Sequence, residues 1–198
     1  ISTFLVVLPT AAGKSKIIEE DIKLFSKQKE NFKALILAPN KNIIEDWKKR
    51  ITENLPKLTQ KIDIKTYSFL ARNYRKISPE EYSYIVADEA HRTTGASEMG
   101  DPSVFTKVHS NKNVQGKLRL YQTATPKVYG VDAKKKAKEQ SIVISSMDDE
   151  KTYGQVIYHL GFGDAVNRGY LTDYKVSVLA VSEQYVNKTM QETLSSDN

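Results

Sequence analysis

The chain has 198 residues, 39% of them hydrophobic and 27% charged, an ordinary globular composition with enough apolar material for one sizeable core. It has no cysteine, which excludes disulfides, thiolate metal sites and thiol catalysis. No apolar run is long enough to cross a bilayer as a helix, and a cytoplasmic setting without membrane contact is the expectation. The formal net charge of +6 suits an anionic partner such as nucleic acid.

The chain opens on Ile1 and enters an apolar run at once, so it is expected to be a piece of a longer protein. Phe4–Leu8 reads as a fully buried strand, and Lys14–Lys27 has the spacing of a helix. Pro9 to Gly13 is then a strand-to-helix turn. Its backbone N–H groups, with the positive end of the helix behind them, suit a phosphate. Further strands are predicted at Ala34–Ala38, Ile62–Ile64, Tyr84–Ala87, Leu118–Tyr121 and Val176–Val181. Helices are predicted at Asn42–Asn54 and near Phe69–Arg75. In Asn42–Asn54 the residues Ile43, Ile44, Trp47 and Ile51 form an apolar face, with Glu45, Asp46, Lys48, Lys49 and Arg50 opposite. The stretch Thr93–Lys117 reads as mostly loop with a short helix around Ser103–His109. Ala133–Glu139 reads as a solvated or mobile charge run, and Thr189–Asn198 as a frayed tail. Strands alternating with helices give an α/β fold with a mainly parallel sheet covered on both faces.

Three stations along this fold carry chemistry. The first is "LPTAAGKS", Leu8 to Ser15, which matches the phosphate-loop pattern G-x-x-x-x-G-K-[ST] except that Leu8 stands at the first glycine. Thr10, Ala11, Ala12, Gly13, Lys14 and Ser15 are the candidate phosphate-binding residues. Gly13 permits close backbone approach, and small side chains at Thr10 and Ala12 leave room for the anion. Lys14 supplies a point charge at the β- and γ-phosphates, and Ser15 a hydroxyl ligand for Mg²⁺. The second station is "ADEAH", Ala87 to His91. It sets two carboxylates at the C-terminal end of a strand, the edge at which open α/β sheets bind ligands. Asp88 is the candidate Mg²⁺ ligand and Glu89 the candidate base that activates a water. His91 lacks a ligand cluster around it, so it is read as a relay and not as a metal ligand. The third station is "TATP", Thr123 to Pro126.

In this order and spacing, Pro9–Ser15, Asp88–His91 and Thr123–Pro126 resemble motifs I, II and III of the superfamily 2 helicases and translocases. Leu35–Trp47 resembles their motif Ia, and Ile64–Leu70 the next nucleic-acid-contacting segment. Tyr153–Val181 resembles the end of the first motor domain in the translocases of type I, type III and single-polypeptide type I-like restriction enzymes, the last group above all. The resemblance implies a RecA-like domain with ATP and Mg²⁺ as cofactors and DEAH-box chemistry. Lys14 and Glu89 would be catalytic, Ser15 and Asp88 would hold Mg²⁺, and His91, Thr123 and Thr125 would couple hydrolysis to motion. Pro39, Asn40, Thr66 and Tyr67 would lie on segments touching the backbone of double-stranded DNA. A first motor domain is expected over residues 1–182, with 183–198 as a tail or the start of a linker to a second RecA-like domain. The resemblance places nuclease and methyltransferase domains in the same parent chain. It also implies that arginine fingers and the adenine-reading segment lie outside this sequence, so the 198 residues alone would lack a complete catalytic site.

Taken on the residues alone, Pro39-Asn40 is equally a strand-to-helix turn with Asn40 as its cap, and Thr66 and Tyr67 are equally sheet-edge residues. Three other functions stay open: a helicase or repair translocase outside restriction, a phosphoryl-transferring kinase, and a non-catalytic nucleic-acid-binding module. A kinase would leave Thr-Ala-Thr-Pro without a role, and a non-catalytic module has no need of Lys14, Asp88 and Glu89 together. No zinc finger or other base-reading motif appears.

Overall fold

The structure is a computed structural model that describes residues 2–77, 81–98 and 105–174. Its strands, in chain order, are β1 (Ser2–Val7), β2 (Ala34–Ala38), β3 (Ile62–Thr66), β4 (Glu81–Ala87), β5 (Gly95–Glu98), β6 (Gln115–Thr123), β7 (Ile142–Ser145) and β8 (Gln155–His159). The helices are α1 (Lys14–Gln28), α2 (Lys41–Asn54), α3 (Tyr67–Ile77), α4 (Val131–Glu139), α5 (Glu150–Tyr153) and α6 (Phe162–Asn167). Six strands form one sheet in the order β3-β2-β4-β6-β1-β8. Every pairing in it is parallel. The fold class read from the sequence is the fold observed.

Because neighbouring residues of a strand point to opposite faces, a sheet buried on both sides needs unbroken apolar runs. The run Ala34-Leu35-Ile36-Leu37-Ala38 shows this division. Ala34, Ile36 and Ala38 join one core cluster, and Leu35 and Leu37 the other. The first cluster is closed by Ile18 and Ile22 of α1 and by Ile44, Trp47 and Ile51 of α2. The second is closed by Tyr67, Leu70 and Ile77 of α3 and by Tyr153 of α5. All strands run the same way, so the turns after β1, β2, β3, β4 and β6 gather at one edge of the sheet.

Several boundaries differ from the sequence reading. The charge run at 133–139 is the body of α4, a run of strong helix formers. Its Ala137 is buried, and its Lys134 pairs with Asp148 at 2.6 Å. The supposed loop from Thr93 contains β5, which pairs antiparallel with β7. The helix expected around Ser103–His109 is a short 3₁₀ turn over Thr106–His109, its first residues lying outside the described ones. The strand expected at Val176–Val181, the tail Thr189–Asn198 and the 182/183 boundary lie outside them too. β8 was not read as a strand. It is the edge of the sheet beside β1, and Val156, Ile157 and Tyr158 are 53%, 55% and 43% exposed, so burial leaves no mark on its sequence.

Candidate functional site

The phosphate loop begins where β1 ends. Leu8 N–H donates to the Thr123 carbonyl at 3.0 Å, which ties the end of β1 to the end of β6. The chain then turns through left-handed backbone at Ala11 (φ 66°) and Gly13 (φ 89°). A Cβ on Gly13 would meet nothing within 4 Å, so its backbone faces open space. No side chain caps α1 and no acidic residue sits in its first turn. The helix therefore presents free N–H groups and the positive end of its dipole to that space. Lys14 Nζ folds back to donate to the carbonyls of Leu8 and Pro9, both at 3.2 Å.

β4 delivers the two carboxylates opposite this loop. Asp88 is 7% exposed, so its charge requires donors. Oδ1 accepts from Gln122 Nε2 at 2.8 Å and from Glu89 N–H at 2.9 Å, and Oδ2 accepts from Trp47 Nε1 at 2.8 Å. The Asp88 carbonyl accepts from the Tyr67 hydroxyl at 2.7 Å. Glu89 follows in left-handed backbone (φ 49°, ψ 49°), a conformation that costs a non-glycine residue about 1 kcal/mol or more. The carboxylates and the loop share a cleft of about 340 Å³ lined by Thr10, Ala11, Gly13, Lys14, Ser15, Asp88 and Glu89, with Ile43 and Arg50 of α2. A larger and more apolar cavity, about 510 Å³, lies at the N-terminal end of β1 around Phe4, Phe25 and Tyr84. It contains none of the three stations, so size does not mark the site.

The third station meets the second through His91. Its Nδ1 lies 3.0 Å from Thr123 Oγ1, 3.5 Å from Thr125 Oγ1 and 3.3 Å from Glu89 Oε2. Thr123 Oγ1 also accepts from Thr125 N–H at 3.2 Å. Burial lowers the His91 pKa, against the opposing pull of Glu89. The relay residues expected from the sequence are thus hydrogen-bonded to one another, and His91 lies at ion-pair distance from the candidate base.

Two candidates take a different place. Ala12 is packed against the first core cluster, so bulk there would disturb the core before it reached an anion. Tyr67 is 1% exposed and committed to Asp88, so its side chain is withdrawn from the DNA-facing set. Asn40 Oδ1 caps α2 by accepting from Ile43 N–H at 3.1 Å, and Thr66 Oγ1 accepts from Phe69 N–H at 3.0 Å. Pro39 and Thr66 are both half-buried, and the ends of β2 and β3 are adjacent, with Ala38 in register with Thr66. Three residues were missed. Gln122, 1% exposed, was detectable as a polar residue at the end of a buried apolar run. Trp47 was assigned wholly to the core by its helical spacing. Arg50 was placed on the solvated face of its helix, but it pairs with the buried Glu19 of α1 and lines the cleft.

Among the described residues no group of three or more His, Cys, Asp or Glu is arranged for a metal ion. The side-chain oxygen donors at the cleft are the hydroxyls of Thr10 and Ser15 and the carboxylates of Asp88 and Glu89. That set suits Mg²⁺, which takes one or two protein carboxylates together with phosphate oxygens and water.

Residues 2–128 match the family described as type III restriction enzyme, res subunit. The chain belongs to this family. The chain is also similar to the ATP-dependent Type ISP restriction-modification enzyme LlaBIII bound to DNA, at 34% identity over 98% of this chain with a TM-score of 0.70. A nuclease-deletion mutant of the Type ISP enzyme LlaGI, in complex with a DNA substrate mimic, matches at 26% identity over 86% of this chain with a TM-score of 0.60. The chain spans 16% and 19% of the lengths of those two chains. The helicase domain of Pyrococcus furiosus Hef shares the fold, at 24% identity over 76% of this chain and 36% of that one, with a TM-score of 0.51. No curated protein sequence matches the chain. The chain forms a RecA-like, helicase-type ATPase domain related to the translocases of restriction enzymes.

Proposed function

We propose that this domain is the first half of an ATP-driven motor that moves a restriction-modification enzyme along double-stranded DNA. The observation that carries the reading is the convergence of Lys14, Ser15, Asp88 and Glu89 on one cleft, with His91 joining Glu89 to Thr123 and Thr125. The uncapped start of α1, Gly13 and Lys14 would bind the phosphates of ATP. Ser15 and Asp88 would hold Mg²⁺, which supplies charge neutralisation at the β- and γ-phosphates. Glu89 orients a water and accepts its proton. His91 senses whether Glu89 carries that proton and passes the change to the Thr123–Thr125 turn. The turns carrying Pro39, Asn40 and Thr66 lie at the same sheet edge and would contact the DNA backbone. Phosphate contacts position without reading sequence, as a motor that tracks any sequence requires. Residues 1–182 form the motor unit, and a second RecA-like domain of the parent chain closes the cleft. Site recognition, methylation and cleavage belong to other domains of the parent.

The test is phosphate release by the parent protein with and without duplex DNA of varied sequence, beside Glu89→Gln. The amide retains size and hydrogen bonding but takes no proton. DNA of any sequence should stimulate the wild type. The variant should still bind ATP while turnover falls by orders of magnitude. Turnover indifferent to DNA, or a fully active Glu89→Gln, would overturn the reading.

A further inference from the structure

We propose that Trp47 is a positioning residue whose indole N–H fixes the Asp88 carboxylate in the orientation that receives the metal. The inference rests on the nucleotide reading of the cleft given above. Trp47 is 2% exposed, and it belongs to the first core cluster together with Ile44 and Ile51 of its own helix. An apolar side chain would satisfy that packing. What an apolar side chain cannot supply is a donor, and the indole N–H is a donor only. It meets Oδ2 at 2.8 Å, while Oδ1 is held separately by Gln122 and by the Glu89 amide. A carboxylate gripped on one oxygen can still rotate about its Cβ–Cγ bond. Gripped on both, it has one plane. The two side-chain donors come from α2 and β6, elements on which the cleft itself is built, since Ile43 and Arg50 of α2 line it four residues before and three residues after Trp47. Partners that orient a metal ligand in this way are worth about 10–100-fold in metal affinity where they have been removed.

The 198-residue chain has a single tryptophan, so its emission reports this contact alone. Binding of a fluorescent ATP analogue, followed by anisotropy, gives an independent measure of nucleotide occupancy. In the wild type, Mg²⁺ added to the nucleotide-bound chain should shift the Trp47 emission. Trp47→Phe keeps a ring in the core and removes the donor. Because this variant has no tryptophan, its Mg²⁺ titration is read from the anisotropy of the bound analogue and compared with the same titration of the wild type: the Mg²⁺ concentration for half-saturation should rise by about 10-fold or more, with metal-free nucleotide affinity changed by less than about 2-fold. Should Trp47→Phe fail to fold, Asp88→Asn decides: the Mg²⁺-dependent emission change should disappear while metal-free nucleotide binding persists. Failure of the wild type to bind the analogue would overturn the nucleotide reading itself. Binding with no Mg²⁺ effect on Trp47 emission, or an unchanged half-saturation in Trp47→Phe, would overturn the positioning role and leave that reading standing.

Discussion

Lys14 Nζ donates to the carbonyls of its own loop, Leu8 and Pro9, and packs in no core cluster among the described residues. Lys14→Ala should therefore leave thermal stability nearly unchanged. Without the ammonium, negative charge developing on the phosphates goes uncompensated, so ATP turnover by the parent should fall by orders of magnitude. Wild-type turnover in that variant would remove the loop from the chemistry. His109 gives the opposite kind of prediction, stability without catalysis. It is enclosed by the Tyr121 hydroxyl at 2.7 Å, the Thr93 carbonyl at 3.0 Å and the ring of Tyr153. Burial lowers its pKa to about 4. A neutral imidazole is thus favoured by folding, and the stabilisation is fully present above the unfolded value of about 6.5. It is lost as pH falls from there toward 4, by about 3 kcal/mol in all. Urea unfolding midpoints should decline across that window, and His109→Gln should flatten the decline. That Lys14, Ser15, Asp88 and Glu89 would share one cleft was legible in the sequence, because each stands at or just beyond the end of a strand on one sheet edge. Trp47 and Gln122 were not, because their partner lies 41 and 34 residues away and only the fold brings them to it.

Among the elements, β1 is closely covered where it meets β8. It pairs with β8 through a register shift between Leu5 and Val6, and Gly154 packs on its backbone just before β8 begins. A Cβ there would come within 1.8 Å of the Thr3 carbonyl oxygen, and φ is +77°. Backbone cannot move aside as a side-chain tip can. Gly154→Ala should destabilise by about 3 kcal/mol or more, adding overpacking to left-handed strain. Gly163→Ala in α6, where a Cβ meets nothing within 4 Å, should be neutral or slightly stabilising. Denaturant midpoints of the two variants make the comparison. Legibility followed burial here as well. β2 and the core of β4 are buried on both faces and stand out as apolar runs. β8 is exposed, β7 is short and half-buried, and α4 is rich in lysine with little apolar surface, so none carried a pattern that periodicity could detect.

At the scale of the molecule, the strand order sets a schedule for assembly. β1 leaves the ribosome first, yet its neighbours are β6 and β8, made more than a hundred residues later. β2, β3 and β4 find each other over far shorter spans. Closing long loops before any contact rewards them is slow. At synthesis rates of about 5–20 residues per second, the first strand waits about 7–30 s for its second partner. The nascent chain should thus acquire a β2–β3–β4 platform early and the phosphate loop last. Pulse-labelled hydrogen exchange during refolding should show amides of Leu35–Leu37 and Ile85–Ala87 protected before those of Leu5–Val7. A ribosome-bound chain released before β6 emerges would have no seat for β1, and the protein would be unable to bind nucleotide until its sheet was nearly complete.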